Sequence, residues 1–471
     1  MRRILSILVL GALCMGLQAR VYNVREYGAA GDGSHIDSPA INAAIEAAAS
    51  KGGGVIYFPA GVYSSYSIRL RDNITLRFAE GAVLKAARAT REQGYDVAEP
   101  NPWDMYQDFG HSHWQNSLIW GIGLKNLKFE GPGVIDGTDG LNRGLGRQGP
   151  VPEANKAIAL KECKNVTIKD IKLLQCGHFA LLLTGVDKLK IDHVLADTNR
   201  DAFDIDCCAD VKITNCTVNS LNDDGIVLKC SYGLGYPKAT ENVLIKNCTV
   251  SGYDPGTVFS GTYGTTITAA PDRDGPTGRV KLGTESNGGF RHIRVENVTF
   301  KHCRGLALET VDGAPMEDIK VRHLRMDDIF NSPIYIRIGD RMRGPKELPA
   351  SLARDIEISD VVVTNCDTRY ALLIVGLKDH PIENVTIKDV DVQYKGGLGP
   401  EDVRLQRGAN PFFFGRNGGY PEPSAHGIQP AWGLSMQHAR HIRFKNVNLH
   451  VLTPDGREKI FLNDVEDFVW D

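Results

Sequence analysis

The sequence predicts an all-β protein, a right-handed parallel β-helix with a helical cap at its amino-terminal end. Three observations lead to this fold class: a short strand-like phrase that recurs along the chain, a spacing of its first copies in the low twenties, and turns rich in Gly, Asn and Asp between the copies. Such repeats stack their coils around one continuous core. We therefore expect residues 20–471 to form a single domain, although 471 residues would otherwise suggest about three domains.

The repeated phrase alternates apolar and polar residues with a period of two, which is typical of strands. One copy is Lys164-Asn-Val-Thr-Ile-Lys-Asp-Ile, and the next copies start at Asp187 and Ala209, giving steps of 23 and 22 residues. Later copies start at Glu241, Arg291, Glu317, Arg354, Glu383 and Arg440. Their longer steps predict loops inserted on one face, and parallel strand connections are nearly always right-handed. Most Asn-x-Ser/Thr triplets fall inside the phrase, so we interpret their asparagines as a stacked ladder and not as glycan acceptors.

The first residues predict export. Two arginines precede an apolar run from Ile4 to Leu17, which is short for a membrane span and typical of a signal peptide. We expect residues 1–19 to be a signal peptide that is cleaved after Ala19, and the mature chain to be periplasmic or extracellular with no membrane span. Cys14 could instead mark a lipoprotein, but the bulky Leu13 before it disfavours that reading.

The residues from Ser38 to Ala49 have helical spacing of apolar side chains and predict a cap over the first coil. A formal net charge of −3 gives no basic field for nucleic acid, so we expect no nucleic-acid partner.

Of the ten cysteines, nine remain when Cys14 is set aside. Cys216 and Cys248 occupy equivalent repeat positions, which predicts stacked buried thiols, and one or two disulfides stay possible. No pattern indicates a cofactor, a metal or an oligomer, and we expect a monomer that uses neither cofactor nor metal.

Three acids are the candidate catalytic group. Asp201 and Asp223 are 22 residues apart, so stacked coils place them on adjacent rungs about 4.8 Å apart. Side chains leaning apart could open a gap toward the ~6.5–9.5 Å that an inverting glycosidase needs for its water. Asp224 can share their groove only at a bend, which Asn222 and Gly225 permit. Clustered like charges can keep one carboxyl protonated as an acid while others act as base. Other Asp-rich turns cap corners of a β-helix, and to that class we assign Asp204, Asp206 and Asp210.

These segments resemble glycoside hydrolase family 28, which contains polygalacturonases and rhamnogalacturonan hydrolases. Asn199-Arg-Asp, followed one coil later by Asn222-Asp-Asp-Gly and ending at Lys229, is similar to the N-T-D and D-D signatures of that family. Gly283-Thr-Glu-Ser-Asn-Gly-Gly follows in the family's order, and Tyr27-Gly-Ala-Ala-Gly-Asp-Gly resembles the start of many pectin-degrading β-helices. Arg200 stands where the family has a threonine.

The resemblance implies roles for particular residues. Asp223 would be the general acid, while Asp201 and Asp224 would position and deprotonate the water. Asn199 and Lys229 belong to the same signatures and are expected to contact the substrate.

Two family motifs are missing. The segment from Thr277 to Leu282 has no histidine where polygalacturonases carry G-H-G, and the R-I-K position falls on Ala307-Leu-Glu. Arg279 and Lys281, on one face of a strand, could supply replacement charge for a uronate. Rhamnogalacturonan hydrolases also depart from these motifs, so that mixed backbone stays a candidate substrate.

Further candidate contacts lie outside these motifs. His111 and His113 have a metal-like spacing without a carboxylate motif, so we favour a sugar-stacking and hydrogen-bonding role for their loop. The additional substrate contacts that we predict are His113, Trp114, His178, Tyr335 and Arg337. The segment 412–432, rich in Gly, Pro and aromatic residues, is expected to close one end of the groove.

The sequence therefore predicts an inverting hydrolase of α-linked galacturonate-containing pectic poly- or oligosaccharide. Long inserts beside the binding face predict exo action on chain ends. Two alternatives stay open: a β-helix polysaccharide lyase and a non-catalytic glycan-binding β-helix.

Overall fold

The computed structural model of the protein describes residues 20–144, 146–268, 275–405 and 420–471. Thirty-one of the strands within these ranges join in one sheet that winds as a parallel β-helix, which confirms the predicted fold class. The predicted signal peptide and Cys14 lie outside the described residues.

The chain forms two α-helices, five 3-10 helices and 33 strands within those ranges. The α-helices are α1 Ser38–Ala49 and α2 Thr257–Ser260, and the 3-10 helices are Val24–Tyr27, Asp104–Tyr106, Phe109–His111, Pro400–Asp402 and Pro423–His426. The strands of the first half are β1 Val21–Asn23, β2 Asp32–Ile36, β3 Gly54–Phe58, β4 Gly61–Ser65, β5 Ile68–Arg69, β6 Ile74–Phe78, β7 Ala82–Ala86, β8 Ile119–Ile122, β9 Lys125–Glu130, β10 Val134–Asp136, β11 Lys156–Lys161, β12 Lys164–Lys169, β13 Lys172–Leu174, β14 Phe179–Thr184, β15 Asp187–Asp192, β16 Leu195–Thr198, β17 Phe203–Asp206, β18 Ala209–Thr214, β19 Thr217–Ser220 and β20 Ile226–Cys230. Those of the second half are β21 Thr240–Ser251, β22 Val280–Ser286, β23 Phe290–Cys303, β24 Leu306–Thr310, β25 Pro315–Ile329, β26 Ile334–Ile338, β27 Leu352–Cys366, β28 Leu372–Val375, β29 Ile382–Gly396, β30 Arg404–Leu405, β31 Gly427–Ile428, β32 Ala431–Thr453 and β33 Glu458–Trp470.

The repeated phrase forms a single ladder of stacked strands. Its copies pair in parallel and in register, so that Lys164 lies beside Asp187, which lies beside Ala209. The pairing continues without a slip through the starts of all later copies, Glu241, Arg291, Glu317, Arg354, Glu383 and Arg440. The period-two pattern fixes this register because a slip of one residue would turn every apolar side chain outward.

Asparagines occupy the corners of this ladder. All six asparagines of the Asn-x-Ser/Thr triplets adopt positive φ, which Asn tolerates better than most side chains: Asn73, Asn165, Asn215, Asn247, Asn297 and Asn384. Asn247 donates to Asn215 over 3.2 Å and accepts from Asn297 over 2.8 Å. The ladder interpretation of these triplets is confirmed.

The cap and the core also match the sequence pattern. Helix α1 covers the first coil and buries Ile41, Ala44, Ile45 and Ala48.

The described cysteines are all buried free thiols. Cys216 stacks on Cys248, because the next residues, Thr217 and Thr249, pair with each other. No helix within the described ranges is long and apolar enough to span a bilayer.

A second ladder carries the candidate site and is called the site sheet here. It consists of β8, β11, β14, β17, β20, β22, β24, β26, β28 and part of β32. One of its outward rows contains Asp204, Lys281 and Tyr335. Two residues farther along the strands, Lys229 lies beside Asp206 and Arg337 lies beside Glu309. Successive coils thus bring residues that are distant in sequence onto one face.

We predict that Asn247→Ala lowers the free energy of unfolding by roughly 2–3 kcal/mol, because alanine in the left-handed region costs about 1–2 kcal/mol and two ladder hydrogen bonds are lost. Asn247→Gly loses the same hydrogen bonds without the backbone penalty, so its loss should be smaller by about 1 kcal/mol. Urea unfolding of the two variants measures this difference. Equal losses would show that backbone conformation at this corner contributes nothing.

Candidate active site

Asp201, Asp223 and Asp224 meet at the edge of the site sheet where β17 and β20 begin. One carboxylate oxygen of each lies within 4.8 Å of the others. Residues 221–225 form a bend before β20, as the sequence predicted, and this bend turns both Asp223 and Asp224 to one site. All three are buried, and Asp223 is the most exposed of them at 9%.

The register of the acids differs from the predicted one. Phe203 pairs with Ile226, an offset of 23 residues that aligns Asp201 with Asp224 and not with Asp223. The spacing of neighbouring strands then sets the carboxylate separation. The nearest oxygens of the three acids are therefore closer together than the ~6.5–9.5 Å expected between the carboxyl groups of an inverting enzyme, and the wider gap stays a prediction.

The charge states of the acids are set apart by their surroundings. Burial and the neighbouring charge of Asp223 raise the pKa of Asp201 to about 8. Burial would also raise the pKa of Asp223, but the Arg200 and Lys229 cations outweigh it and hold that pKa below its ordinary value. Arg200 Nη2 donates to Asp223 Oδ2 over 2.8 Å. The unliganded site therefore keeps a proton on Asp201 and an ionised carboxylate at Asp223.

Lys229 lies at the centre of a buried ion cluster behind the triad. Its Nζ is 2.8 Å from Asp204, 3.5 Å from Asp201 and 3.8 Å from Glu285. His111 Nε2 lies 2.5 Å from the same ammonium and 2.8 Å from Asp204. The nearby carboxylates raise the pKa of Lys229 despite its burial. Lys229 thus sits beside the triad, but its charge is matched by these acids.

Two acids that we assigned to corners belong elsewhere. Asp204 lies in strand β17 and faces Lys229, and Asp206 accepts hydrogen bonds from the backbone and hydroxyl of Ser231. The corner assignment is wrong for both because alternate residues of one strand face the same side. Asp210 does occupy a corner, where it has positive φ and accepts from Asn242.

Arg279 and Lys281 come together at the triad, but their charges are already paired. Arg279 Nε donates to Asp224 over 2.9 Å, and its two terminal nitrogens donate to Glu422. Lys281 Nζ lies 3.0 Å from the Tyr420 hydroxyl and 3.6 Å from Asp224. Both are almost completely buried, so they hold Asp224 in place and would need to break ion pairs before gripping a uronate.

Glu309 is an acid at the position of the missing family cation. It lies 3.4 Å from Lys281, and both of its oxygens are buried without a hydrogen-bond partner in the described part of the chain. Burial raises the pKa of Glu309 to about 7, although Lys281 and Arg279 oppose the shift. This position therefore cannot supply positive charge to a sugar.

The predicted sugar-stacking loop packs inward. Trp114 has 0% exposure, and its indole donates to Thr184 over 3.2 Å. His113 is buried and bonds to the carbonyl of Phe109 over 3.0 Å. The loop is buried because Trp114 packs on the apolar surface of β11 and β14. Substrate contact by Trp114 and His113 stays a prediction that their burial does not favour. His111 is the loop residue that reaches the ion cluster.

The other predicted contacts divide into two groups. His178 and Asn199 lie next to the triad, and burial together with Arg200 lowers the pKa of His178 and keeps it neutral. Tyr335 and Arg337 are buried farther along the site sheet, where the Tyr335 hydroxyl is 2.8 Å from His426 Nε2. Another segment of the chain covers this second pair, so its burial does not favour the predicted substrate contact.

That covering segment runs from Tyr420 to Ile428. Its Glu422 pairs with Arg279 and also with Arg304, whose Nη1 lies 3.2 Å away, and its His426 bonds to Tyr335. The described part of the predicted long loop thus lies across strands β22 to β26, and residues 412–419 lie outside the described residues. Glu422 carried no sequence signal, because its partners are more than a hundred residues away.

Unpaired oxygens surround the acids. Asp201 Oδ1, Asn199 Oδ1 and Asn222 Oδ1 are buried and have no hydrogen-bond partner within the described ranges. Buried polar atoms in proteins are normally paired with protein, water or ligand. This concentration of free acceptors indicates a place where water or a hydroxyl-rich ligand binds.

Comparison with known families agrees with the geometry. Residues 104–406, well over half of the chain, match the profile of "Glycosyl hydrolases family 28". The chain belongs to glycoside hydrolase family 28. It is therefore a glycoside hydrolase, and neither the lyase nor the non-catalytic alternative is favoured. Residues 21–172 also match "Rhamnogalacturonase A/epimerase, pectate lyase-like", a range that does not contain the triad.

Individual relatives of this family 28 enzyme are distant. A "Probable polygalacturonase" of Vitis vinifera is 24% identical over 415 residues, covering 83% of this chain and 77% of the relative. The family 28 exopolygalacturonase of Yersinia enterocolitica shares the fold with a TM-score of 0.69 at 15% identity, over 96% of this chain and 78% of that one. The exopolygalacturonase of Thermotoga maritima has a TM-score of 0.59 at 19% identity, over 80% and 87%.

Proposed function

We propose that this family 28 enzyme hydrolyses α-linked galacturonic-acid-containing pectic glycan, polygalacturonan or rhamnogalacturonan, with inversion. The observation that carries the proposal is the meeting of one carboxylate oxygen each of Asp201, Asp223 and Asp224 within 4.8 Å, with the pKa values of Asp201 and Asp223 shifted in opposite directions. Inverting hydrolysis needs one carboxyl as proton donor and another as base for water. The triad has groups in both states. The polygalacturonase names of its relatives support the substrate class.

The roles follow from exposure and pairing. Asp223 is the most exposed of the three acids, so it is the one that an entering glycosidic oxygen meets, and we assign it as general acid. Asp201 and Asp224 are aligned two residues before the neighbouring strands β17 and β20, so they hold the nucleophilic water together on one side of the sugar. Arg279 Nε donates to Asp224 over 2.9 Å and holds this member of the base pair in place.

The shape of the site favours exo action. On one side, His111 binds Asp204 and Trp114 covers the start of the site sheet. On the other side, Glu422 and His426 fasten the covering segment onto the sheet. These two walls support a pocket at the triad in place of an open groove, and a pocket accepts the end of a glycan chain.

We further propose that the enzyme acts outside the cytoplasm, where pectic polymer is available. The apolar run before Ala19 supports this proposal. A periplasmic or secreted protein whose mass corresponds to a chain starting at Arg20 is expected, and retention of residues 1–19 in the cytoplasmic fraction would contradict it.

Asp223→Asn should lower turnover on pectic oligosaccharide by at least about 100-fold, since general acid catalysis typically contributes ~10²–10⁴ in rate. The shape of the side chain is kept, so fold and substrate affinity should change little. Initial rates and thermal unfolding measure both effects. Asp210→Asn, at an exposed corner, is the matched control and should keep wild-type activity. If Asp223→Asn retains more than about a tenth of wild-type turnover, Asp223 is not the acid.

The pocket predicts the product pattern on long polymer. With polygalacturonan and with rhamnogalacturonan as separate substrates, we expect steady release of one sugar at a time with almost unchanged viscosity. Chromatography of early products and viscometry on the same samples measure this. A steep loss of viscosity with few new reducing ends would show internal cleavage and contradict the pocket. The polymer that is cleaved faster identifies the backbone.

A further inference from the structure

Arg200 holds the predicted general acid in the wrong state for donating a proton. Its guanidinium lies 2.8 Å from Asp223, an acid with a 12% exposed side chain. A carboxylate that accepts a hydrogen bond from a guanidinium is ionised and has no proton to give. The N-T-D signature that this segment resembles has a threonine here, and a threonine cannot form this ion pair.

The proton needed for catalysis is nearby. Asp201 carries it in the unliganded site, and its carboxylate lies within 4.8 Å of Asp223. Closely spaced carboxyls share protons as a group, so a change in charge beside one of them moves the proton to another. One water can bridge such a distance.

Among the described groups that face Asp223, Arg200 is the cation best able to move. The titratable and charged groups around Asp223 are Arg200, Asp201, Asp224, Lys229, Lys281, His178 and Tyr420. The side chain of Arg200 is 27% exposed, whereas those of Lys229 and Lys281 are buried in several ion pairs. Its backbone is fixed, since the Ser220 hydroxyl donates to the Arg200 carbonyl over 2.7 Å.

We propose that a uronate carboxylate of the substrate takes the Arg200 guanidinium from Asp223, and that the triad's proton then passes from Asp201 to Asp223. This inference rests on the proposed function and deepens it. The proton that Asp201 loses is the one that Asp223 donates to the glycosidic oxygen. Asp201, now ionised, joins Asp224 in accepting the proton of the attacking water. The substrate charge thus prepares acid and base together, and Arg200 is a positioning and specificity residue.

The experiment compares galacturonate oligosaccharide with its carboxyl-reduced, neutral counterpart across a pH series. Wild type, Arg200→Gln and Arg200→Lys are measured, with Arg294→Gln as control because Arg294 forms a similar pair with Asp318 on a distant face. On the alkaline side of each pH profile, activity falls as the triad loses its proton. This alkaline limb reports the free enzyme in kcat/KM and the substrate complex in kcat.

For wild type we expect the alkaline limb of kcat on the uronate to lie at higher pH than that of kcat/KM, because the bound carboxylate neutralises Arg200. The two limbs should coincide on the neutral substrate. In Arg200→Gln a cation near the triad is removed, so the alkaline limb of kcat/KM should move up by about one pH unit or more. The preference for uronate over neutral substrate should fall at least about tenfold. The alkaline limb and the uronate preference of Arg200→Lys should lie between those of wild type and Arg200→Gln. Both quantities should match wild type in Arg294→Gln.

Several results would overturn the inference. An unmoved alkaline limb and an unchanged uronate preference in both Arg200 variants would show that Arg200 only supports the structure, as would an equal loss of rate on both substrates. If Arg200→Gln does not fold in a thermal scan, Arg200→Lys alone must show the reduced preference, and its absence is equally decisive. Wild type that cleaves uronate and neutral substrates equally refutes the inference alone, whereas wild type that cleaves no uronate glycan refutes the proposed function as well.

Discussion

Parallel pairing of the coils at one strand spacing, about 4.8 Å, is the constraint on which the other features of this protein depend. Each residue lies beside its equivalent in the next coil, so one corner asparagine meets another and one buried thiol meets another. The same spacing brings Asp201 beside Asp224 and sets how far apart their charges are. The meeting of the three acids is therefore a consequence of the register, because the ladder of the repeated phrase leaves the acids no freedom to slip.

Stacking outward-facing residues on a covered sheet also concentrates charge where water is scarce. A buried ion pair is stabilising only when its geometry is good and its partners stay in place, and removing one partner leaves an uncompensated charge. Lys229, Arg279 and Lys281 each contact at least two carboxylates, drawn from different coils or from the covering segment. These cations order the acids around the reaction centre, and the substrate must be recognised by charge located nearer the entrance.

The fold could be predicted almost completely from the sequence, because the information for it is local. The alternation of apolar and polar residues, the spacing of the repeated phrase in the low twenties and the helical spacing before Ala49 can each be recognised within a short stretch of sequence. The triad could be predicted because its members are one step apart. Two features could not be predicted: the pairing of Arg279 with Glu422, and the burial of Trp114 and Tyr335. Both depend on long segments whose path across the sheet follows no repeat. Asp204 was a local error: its alternation with Asp206 indicated an outward strand face.

Arg200 stands where the signature that this segment resembles has a threonine. Unlike a threonine, Arg200 places a positive charge beside the triad before substrate arrives. The guanidinium stabilises the ionised form of Asp223, while burial stabilises the neutral form of Asp201. These two effects act in opposite directions on carboxyls that share a proton, so the position of the proton is sensitive to one added charge. A polymer of uronates carries that charge on every galacturonate residue. The interaction that recognises the sugar and the interaction that controls the acid are then the same ion pair, which couples binding to catalysis without requiring any movement of the β-helix.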